Sequence, residues 1–257
     1  MNAVKAISTR YIVWLCFMLF PGASVAADYD GSLMWSKRAE LGTAISGVVA
    51  EVMVQQGDIV NKGSELLKLD GAILKSRVRE YKALLNSATE IYKEAERERD
   101  RAIELYDRTV LSDHDLQVAK NDFVKAKAEL ENVRTLLVTS QYELKYSVVR
   151  APFDAIVLER NVQPGQIIAT ALKPQPLVVV AEANVMLARV MVPQLNQTTF
   201  AKGRQASVLV DGQRYTAKIQ AVHLEPEQNG RGYYVDVRFE TKGKQLHVGQ
   251  PAKVTIE

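Results

Sequence analysis

Apolar and polar residues alternate in two short stretches of this chain that align without a gap. The first begins Gly47-Val48-Val49 and ends Gly57-Asp58-Ile59-Val60. The second begins Ala155-Ile156-Val157 and ends Gly165-Gln166-Ile167-Ile168. In each, a small residue precedes two β-branched residues, a further Val follows, and a Gly turn leads into another β-branched pair. The alternation predicts short strands, and Gln56-Gly57-Asp58 and Pro164-Gly165-Gln166 predict tight turns between them. Strand-turn-strand units this small cannot bury a core separately, so the two must pack on each other although roughly a hundred residues separate them.

Between the repeats the period changes. After the turn at Lys62-Gly63 and a short strand through Leu66, Leu67 and Leu69, apolar or small residues recur at Leu74, Val78, Tyr81, Leu85, Ala88, Tyr92, Ala95, Ala102 and Tyr106. Steps of four and three make a heptad seam, interrupted only by Arg99. No Gly or Pro falls between Ala72 and Arg108, and the other positions are rich in good helix formers. A second seam runs from Leu116 through Ala119, Phe123, Ala126, Leu130, Val133, Leu137 and Ser140 to Leu144. Ser112 is placed to cap its helix, with Asp113 and Asp115 near the positive end. The connection is short, which makes the helices antiparallel neighbours. At about 1.5 Å per residue each is on the order of 50 Å long, too long to fold over a small β module.

Ala151-Pro152-Phe153-Asp154 stops the second helix, and the second repeat follows. Leu177 to Ala181 reads as a buried strand. From Ala183 the pattern is all short strands: one beginning near Val190 and Val192, Gln205 to Val210 ending at Asp211-Gly212, Tyr215 to Val222, Tyr233 to Phe239, and Lys253 to Ile256. Pro193 to Phe200 reads as a helical turn. Together these predict a compact β-barrel, closed by an N-terminal strand around Leu33, Trp35 and Leu41.

Composition excludes more than it assigns. The 257 residues are 47% apolar and 25% charged, ordinary for a folded chain of one or two domains, and the net charge of +3 with no basic run argues against a nucleic-acid partner. Lys5 and Arg10, an apolar run from Tyr11 to Phe20, Pro21-Gly22 and Ser24-Val25-Ala26 predict a cleaved export signal over residues 1–26. The run is about half the roughly 20 residues of a membrane span. Cys16 lies inside it without the small residues a lipoprotein signal needs, so the exported chain is expected to hold no cysteine, and the periplasm is the expected compartment.

His114, His223 and His247 are far apart, and Met34, Met53, Met186 and Met191 form no cluster, so no metal site is expected. No nucleophile elbow or metal-binding His pair is present, and His223 with Glu225 carries no recognisable chemistry. The chain reads as a non-enzyme without a cofactor. Neither Lys68, in a strand, nor Lys75, on a helix surface, occupies the tight turn that a biotin or lipoyl carrier would require.

The order of these elements resembles the periplasmic adaptor proteins, or membrane fusion proteins, of efflux pumps and type I secretion systems. The resemblance rests on Ser46-Gly47-Val48-Val49, on Gly57 through Gly63, on Val149-Arg150-Ala151-Pro152-Phe153-Asp154, on Val162-Gln163-Pro164-Gly165, and on Leu246, Val248-Gly249 and Val254. It implies a mixed α and β fold. A lipoyl- or biotinyl-like β module (44–70 and 147–181) is split by a long antiparallel α-helical hairpin (71–146). A small β-barrel takes 27–43 and 182–257. The implied function is to link an inner-membrane transporter, of the resistance-nodulation-division type first and an ABC or other type otherwise, to a trimeric outer-membrane channel. The chain would act as a homo-oligomeric ring, of six copies by the family's pattern. Members that meet the channel tip to tip show an Arg, a Leu four residues on and a Ser seven residues later, and Arg101, Leu105 and Ser112 fit that spacing. The chain ends at Glu257, directly after the expected last barrel strand, so neither a membrane-proximal domain nor a lipid anchor is expected. A periplasmic coiled-coil chaperone or scaffold is the alternative.

Overall fold

The computed structural model describes residues 27–170, 176–196, 199–227 and 230–256; the expected export signal lies outside them. In chain order the elements are β1 (Ala27–Trp35), β2 (Arg38–Leu41), β3 (Gly47–Val52), β4 (Ile59–Val60), β5 (Glu65–Leu69), α1 (Ala72–Asp107), α2 (Asp113–Tyr146), β6 (Val148–Arg150), β7 (Ala155–Arg160), β8 (Ile167–Ile168), β9 (Val178–Glu182), β10 (Val185–Val192), β11 (Gln205–Val210), β12 (Gln213–Pro226), β13 (Tyr233–Glu240) and β14 (Pro251–Ile256). They fall into two compact units. One joins the N-terminal residues up to Ser36 with Asn184 onward, and the other is Lys37–Ala183.

The first unit is a closed barrel in the order β1-β10-β13-β12-β11-β14. Alternate residues point inward, as a strand requires. Leu33, Val190, Val208, Tyr215, Ile219, Val237, Phe239 and Val254 are buried together, with Tyr215 and Phe239 ring to ring at 5.2 Å. Gly31 lies where β10 crosses close to β1. A Cβ there would collide with the Arg189 carbonyl oxygen and sit 2.7 Å from Val190 Cγ1. The strand expected to start near Val190 starts instead at Val185, so Val190 and Val192 close it. Apolar Leu187 and Met191 on its outward side blur its alternation. Between Pro193 and Phe200, the Phe200 amide donates to the Asn196 carbonyl at 2.9 Å, one turn's worth; residues 197 and 198 lie outside the described set.

One expectation needs correction. The barrel strand placed over residues 27–43 is two strands. Only β1 pairs within the barrel, with β10 and β14. Arg38–Leu41 pairs antiparallel with β9 in the other unit. Ser36-Lys37 interrupts the ladder. The apolar residues on both sides of it share no single face, because Ala39 and Leu41 pack into the second core and Leu33 and Trp35 into the first.

The second unit's β part is two four-stranded sheets, β2-β9-β7-β4 and β6-β5-β3-β8. Each sheet mixes strands from before and after the helices. The two repeats exchange hydrogen bonds: Val49 N–H donates to the Gln166 carbonyl and Val157 N–H to the Asp58 carbonyl, both at 2.9 Å. Val49 and Val157 are both buried, and so are Val54 and Val162. Further stitching crosses the insertion. Arg150 reaches the Gly63 carbonyl at 3.1 Å and Glu65 at 2.6 Å, and the Lys62 amide donates to Asp154 at 2.7 Å.

α1 has 36 residues and α2 has 34. Their buried positions are Ala88 and Ala102 on α1, and Leu116, Leu130, Val133, Leu137 and Ser140 on α2, all on the expected seams. Partners run in opposite order along the two helices: Arg77 pairs with Glu143 at 2.7 Å, and Tyr92 stacks on Phe123 at 5.5 Å between ring centres. Arg99, the seam's interruption, lays its guanidinium 3.9 Å from the centre of the Phe123 ring, and Asp100 meets its charge at 2.6 Å.

Candidate functional site

The turn between the helices carries the three residues picked out by spacing. Arg101 is on α1, exposed, and ion-paired to Glu98 one turn back. Leu105 is half-buried on the same helix. α1 ends when Thr109 takes a left-handed φ of 57°, with its amide donating to the Tyr106 carbonyl at 2.8 Å and that of Val110 to the Leu105 carbonyl at 3.0 Å. Ser112 is exposed and caps α2. Its Oγ accepts from the Asp115 amide at 3.1 Å and donates to Asp115 Oδ2 at 2.6 Å. Asp113 and Asp115 in the first turn complement the helix dipole. Arg101 and Leu105 thus sit on the last turns of α1, and Ser112 at the cap just before α2. Exposed Val110 adds an apolar side chain to the same turn.

Beside this turn a groove runs between the helices. Ile91, Ala95, Val118 and Ala119 line it with Glu94, Glu98, Asp115 and Asp122. An apolar surface bordered by four carboxylates favours an apolar partner that carries positive charge.

The family model described as CzcB-like, barrel-sandwich hybrid domain matches residues 37–181, more than half of the chain. The chain belongs to this family of periplasmic adaptors. Among its relatives, the macrolide export protein MacA of Yersinia pestis is 24% identical over 246 residues, covering 88% of this chain and 66% of MacA. The nodulation protein NolF of Rhizobium meliloti is 30% identical over 139 residues, covering 53% of this chain and 37% of NolF. The chain therefore spans two thirds or less of the length of these relatives. Among solved structures, the membrane fusion protein Spr0693 of Streptococcus pneumoniae R6 superposes with a TM-score of 0.65 at 15% identity, covering 90% of this chain and 98% of that one. A MacA-MexA chimera containing the Pseudomonas aeruginosa MexA α-hairpin domain gives 0.61 at 21%, covering 90% and 80%. At these identities the likeness is one of fold.

In this adaptor the carrier alternative finds no support from geometry. Lys68 lies within β5 and is tied to Glu65 at 2.8 Å, and Lys75 lies on the first turns of α1. No group of three His, Cys, Asp or Glu able to hold a metal ion occurs among the described residues. No helix among them is long and apolar enough to cross a membrane.

The adaptor's barrel holds one polar cluster that sequence reasoning passed over. Arg189 on β10 donates Nε to Asp236 Oδ1 at 2.7 Å and Nη2 to Oδ2 at 2.8 Å. His223 Nε2 lies 3.0 Å from the same Oδ2, and the Tyr234 ring packs against both Arg189 and His223. Burial pushes the Asp236 carboxyl up, but hydrogen bonds from Arg189 and His223 outweigh it and hold the carboxyl below its usual range. The Arg189 guanidinium is held correspondingly higher. Arg189 and Asp236 are directly opposite in the β10–β13 register. An Arg and an Asp at outward positions of two strands would have been the signal, but only the register makes them partners.

Proposed function

We propose that this chain is the periplasmic adaptor of a tripartite efflux or secretion assembly. Copies of it form a ring through the barrel and the barrel-sandwich module, of six as the family's pattern implies. The α1–α2 pair acts as a long antiparallel hairpin, and the hairpins together make a funnel. The funnel's tip meets a trimeric outer-membrane channel, and the other end meets an inner-membrane transporter. A resistance-nodulation-division transporter is favoured, and an ABC transporter would serve the same geometry. The substrate passes through the lumen and meets no chemistry, so the chain itself is not an enzyme.

The observation that carries this reading is the insertion of the helix pair between the two halves of one stitched module. A pair with its base fixed at both ends can transmit position from the module to a tip about 50 Å away. Similarity to MacA, named for macrolide export, supports the reading as well. At the tip, Leu105 is the apolar anchor, Arg101 binds carbonyls or carboxylates of the channel, and Ser112 bonds backbone at close approach. Export places the adaptor in the periplasm.

Site-specific photo-crosslinking in cells tests this. The probe goes at position 105, with a control at Tyr81 far down α1, and adducts are identified by mass spectrometry. Capture of an outer-membrane channel from 105 and not from 81 is expected. Adducts only to unfolded client proteins would replace the adaptor reading with a chaperone.

A further inference from the structure

One side of the barrel is basic. β12, β11 and β14 are neighbours in the sheet. β11, β14 and β12 as far as Gln220 hold no Asp or Glu, yet Arg214, Lys218 and Lys253 stand exposed at their outward positions. The register lays the outward side chains in rows. In one row Arg214 and Lys253 flank Leu209 on either side. In the next, Ser207 lies between Thr216 and Thr255. In the third, Lys218 is directly opposite exposed Arg238 of β13. Lys202 and Arg204 add two cations beside this last row. The Ile219 amide donates to the Arg204 carbonyl at 3.0 Å, and the Gly203 amide to the Ile219 carbonyl at 2.8 Å. The whole chain carries only +3, so the charge is concentrated here.

Like charges directly opposite each other across two strands destabilise a sheet, and Lys218 with Arg238 is such a pair. Lys202, Lys218 and Lys253 make no ion pair among the described residues. Carboxylates stand at the rim. Glu240 ends β13, Asp211 is in the turn after β11, and Asp28 of β1 takes the Thr255 hydroxyl at 2.7 Å. Such an excess of cations calls for an anionic partner. The face suits a protein poorly. Its apolar outward residues are half-buried Leu209 and Pro251, too little for the apolar core that protein interfaces bury. Phosphates ask for what the face does hold, cations with hydroxyl donors between them. The Thr216 side chain is exposed, and Ser207, which accepts from Arg214 at 3.1 Å, still has its own proton to donate.

We propose that the β12-β11-β14 face of the barrel docks on an anionic phospholipid surface, with Arg214, Lys218 and Lys253 at headgroup phosphates. Arg214 and Lys218 are four residues apart on one strand, about 13 Å, too far to share a single phosphate and suited to separate headgroups. Cations spread over neighbouring strands in this way match an extended charged surface rather than one ion. The contact goes beyond the proposed function, because it gives the chain a hold on a membrane through its own barrel. It rests on that reading only for its place beside a membrane; its own grounds are the rows of charge.

The test sediments the purified exported chain, residues 27–257, with vesicles. One set is phosphatidylcholine alone, and the other is equal parts phosphatidylcholine and phosphatidylglycerol. Binding is expected to the second and not to the first, and it should weaken as salt is added. Lys218→Gln with Lys253→Gln should bind about 25-fold more weakly, at about fivefold per lysine. Lys82→Gln with Lys127→Gln removes the same charge from exposed positions of the helices and should bind like the wild type. Circular dichroism confirms that both variants fold. Sodium phosphate should displace no more chain than sodium chloride at the same ionic strength. Equal binding to both vesicles or to neither, a barrel variant that binds like the wild type, or a helix variant that loses as much overturns the proposal. Selective displacement by phosphate would make the face a site for the free ion instead. No vesicle binding, with a photo-probe at position 216 capturing an inner-membrane protein in cells, would replace the lipid with an acidic protein. If the anionic vesicles bind while position 105 captures no channel, the adaptor reading falls and the lipid contact stands. Channel capture without vesicle binding means the reverse.

Discussion

Gly57 and Gly165 occupy equivalent turns of the two repeats, and each donates its amide into the other repeat. Gly57 N–H bonds the Val157 carbonyl at 2.8 Å, and Gly165 N–H bonds the Val49 carbonyl at 2.8 Å. Both have left-handed φ angles, 92° and 84°, in open space where a Cβ would touch nothing. The cost of replacing either is thus backbone strain alone. Gly57→Ala and Gly165→Ala should each lose about 1–2 kcal/mol. Chemical denaturation checks this, and markedly unequal losses would mean the two turns do not carry equivalent strain.

Asp236 is nearly buried under Arg189, with His223 on the same oxygen. Asp236→Asn removes the charge and leaves Arg189 unbalanced. The expected loss is about 2–3 kcal/mol at neutral pH, less than for a fully buried pair because Arg189 is partly exposed. The folded carboxyl lies below its unfolded value, so its stabilisation is present above the unfolded range and disappears as pH falls through the folded value. Denaturation midpoints of the wild type and Asp236→Asn should therefore converge on acidification from neutral pH to about 3, below the ordinary Asp range near 3.9. A gap that stays constant over that range would mean the ion pair contributes nothing.

Gly31 is required for a different reason. Its φ is unremarkable, but β10 passes too close for a side chain, with the Arg189 carbonyl in the way. Gly31→Ala should force β1 from β10 and cost about 1–3 kcal/mol, as overpacking does. Loss of amide protection in β1 ahead of the rest of the barrel would locate the damage.

Much of this arrangement was legible in the order of residues. The two repeats could be seen because each needs a Gly at the same turn and β-branched residues at the same alternating positions. The helix pair was visible because its seam has a period that strands cannot share. The N-terminal strand was misread because Leu33 and Leu41 are equally apolar, and nothing local to them says that they face different cores. Arg189, Asp236 and His223 come from three strands, and their meeting depends on barrel register, which a sequence does not print.

Leu130 is buried in the seam beside Ala88 and Val133. Leu130→Pro removes a helix hydrogen bond in mid-α2, costing about 3 kcal/mol or more. Hydrogen exchange should show α2 opened on both sides of residue 130 while barrel amides stay protected. Crosslinking from position 105 should disappear with it. Export that persists with α2 opened would show that the hairpin is not the conduit.

Ser112 has two separable uses, as helix cap and as docking hydroxyl, and three variants tell them apart. Ser112→Ala removes the bond to the Asp115 amide and should cost about 1 kcal/mol of local helix stability. Ser112→Asp and Ser112→Asn both restore a side-chain acceptor at the cap, and only Asp adds a negative charge beside Asp113 and Asp115. If Ser112 only caps, channel capture at position 105 should fall with Ala and return with both Asp and Asn. If its hydroxyl donates to the channel's backbone, helix protection should return with both while capture stays lost with Asp, which has no donor.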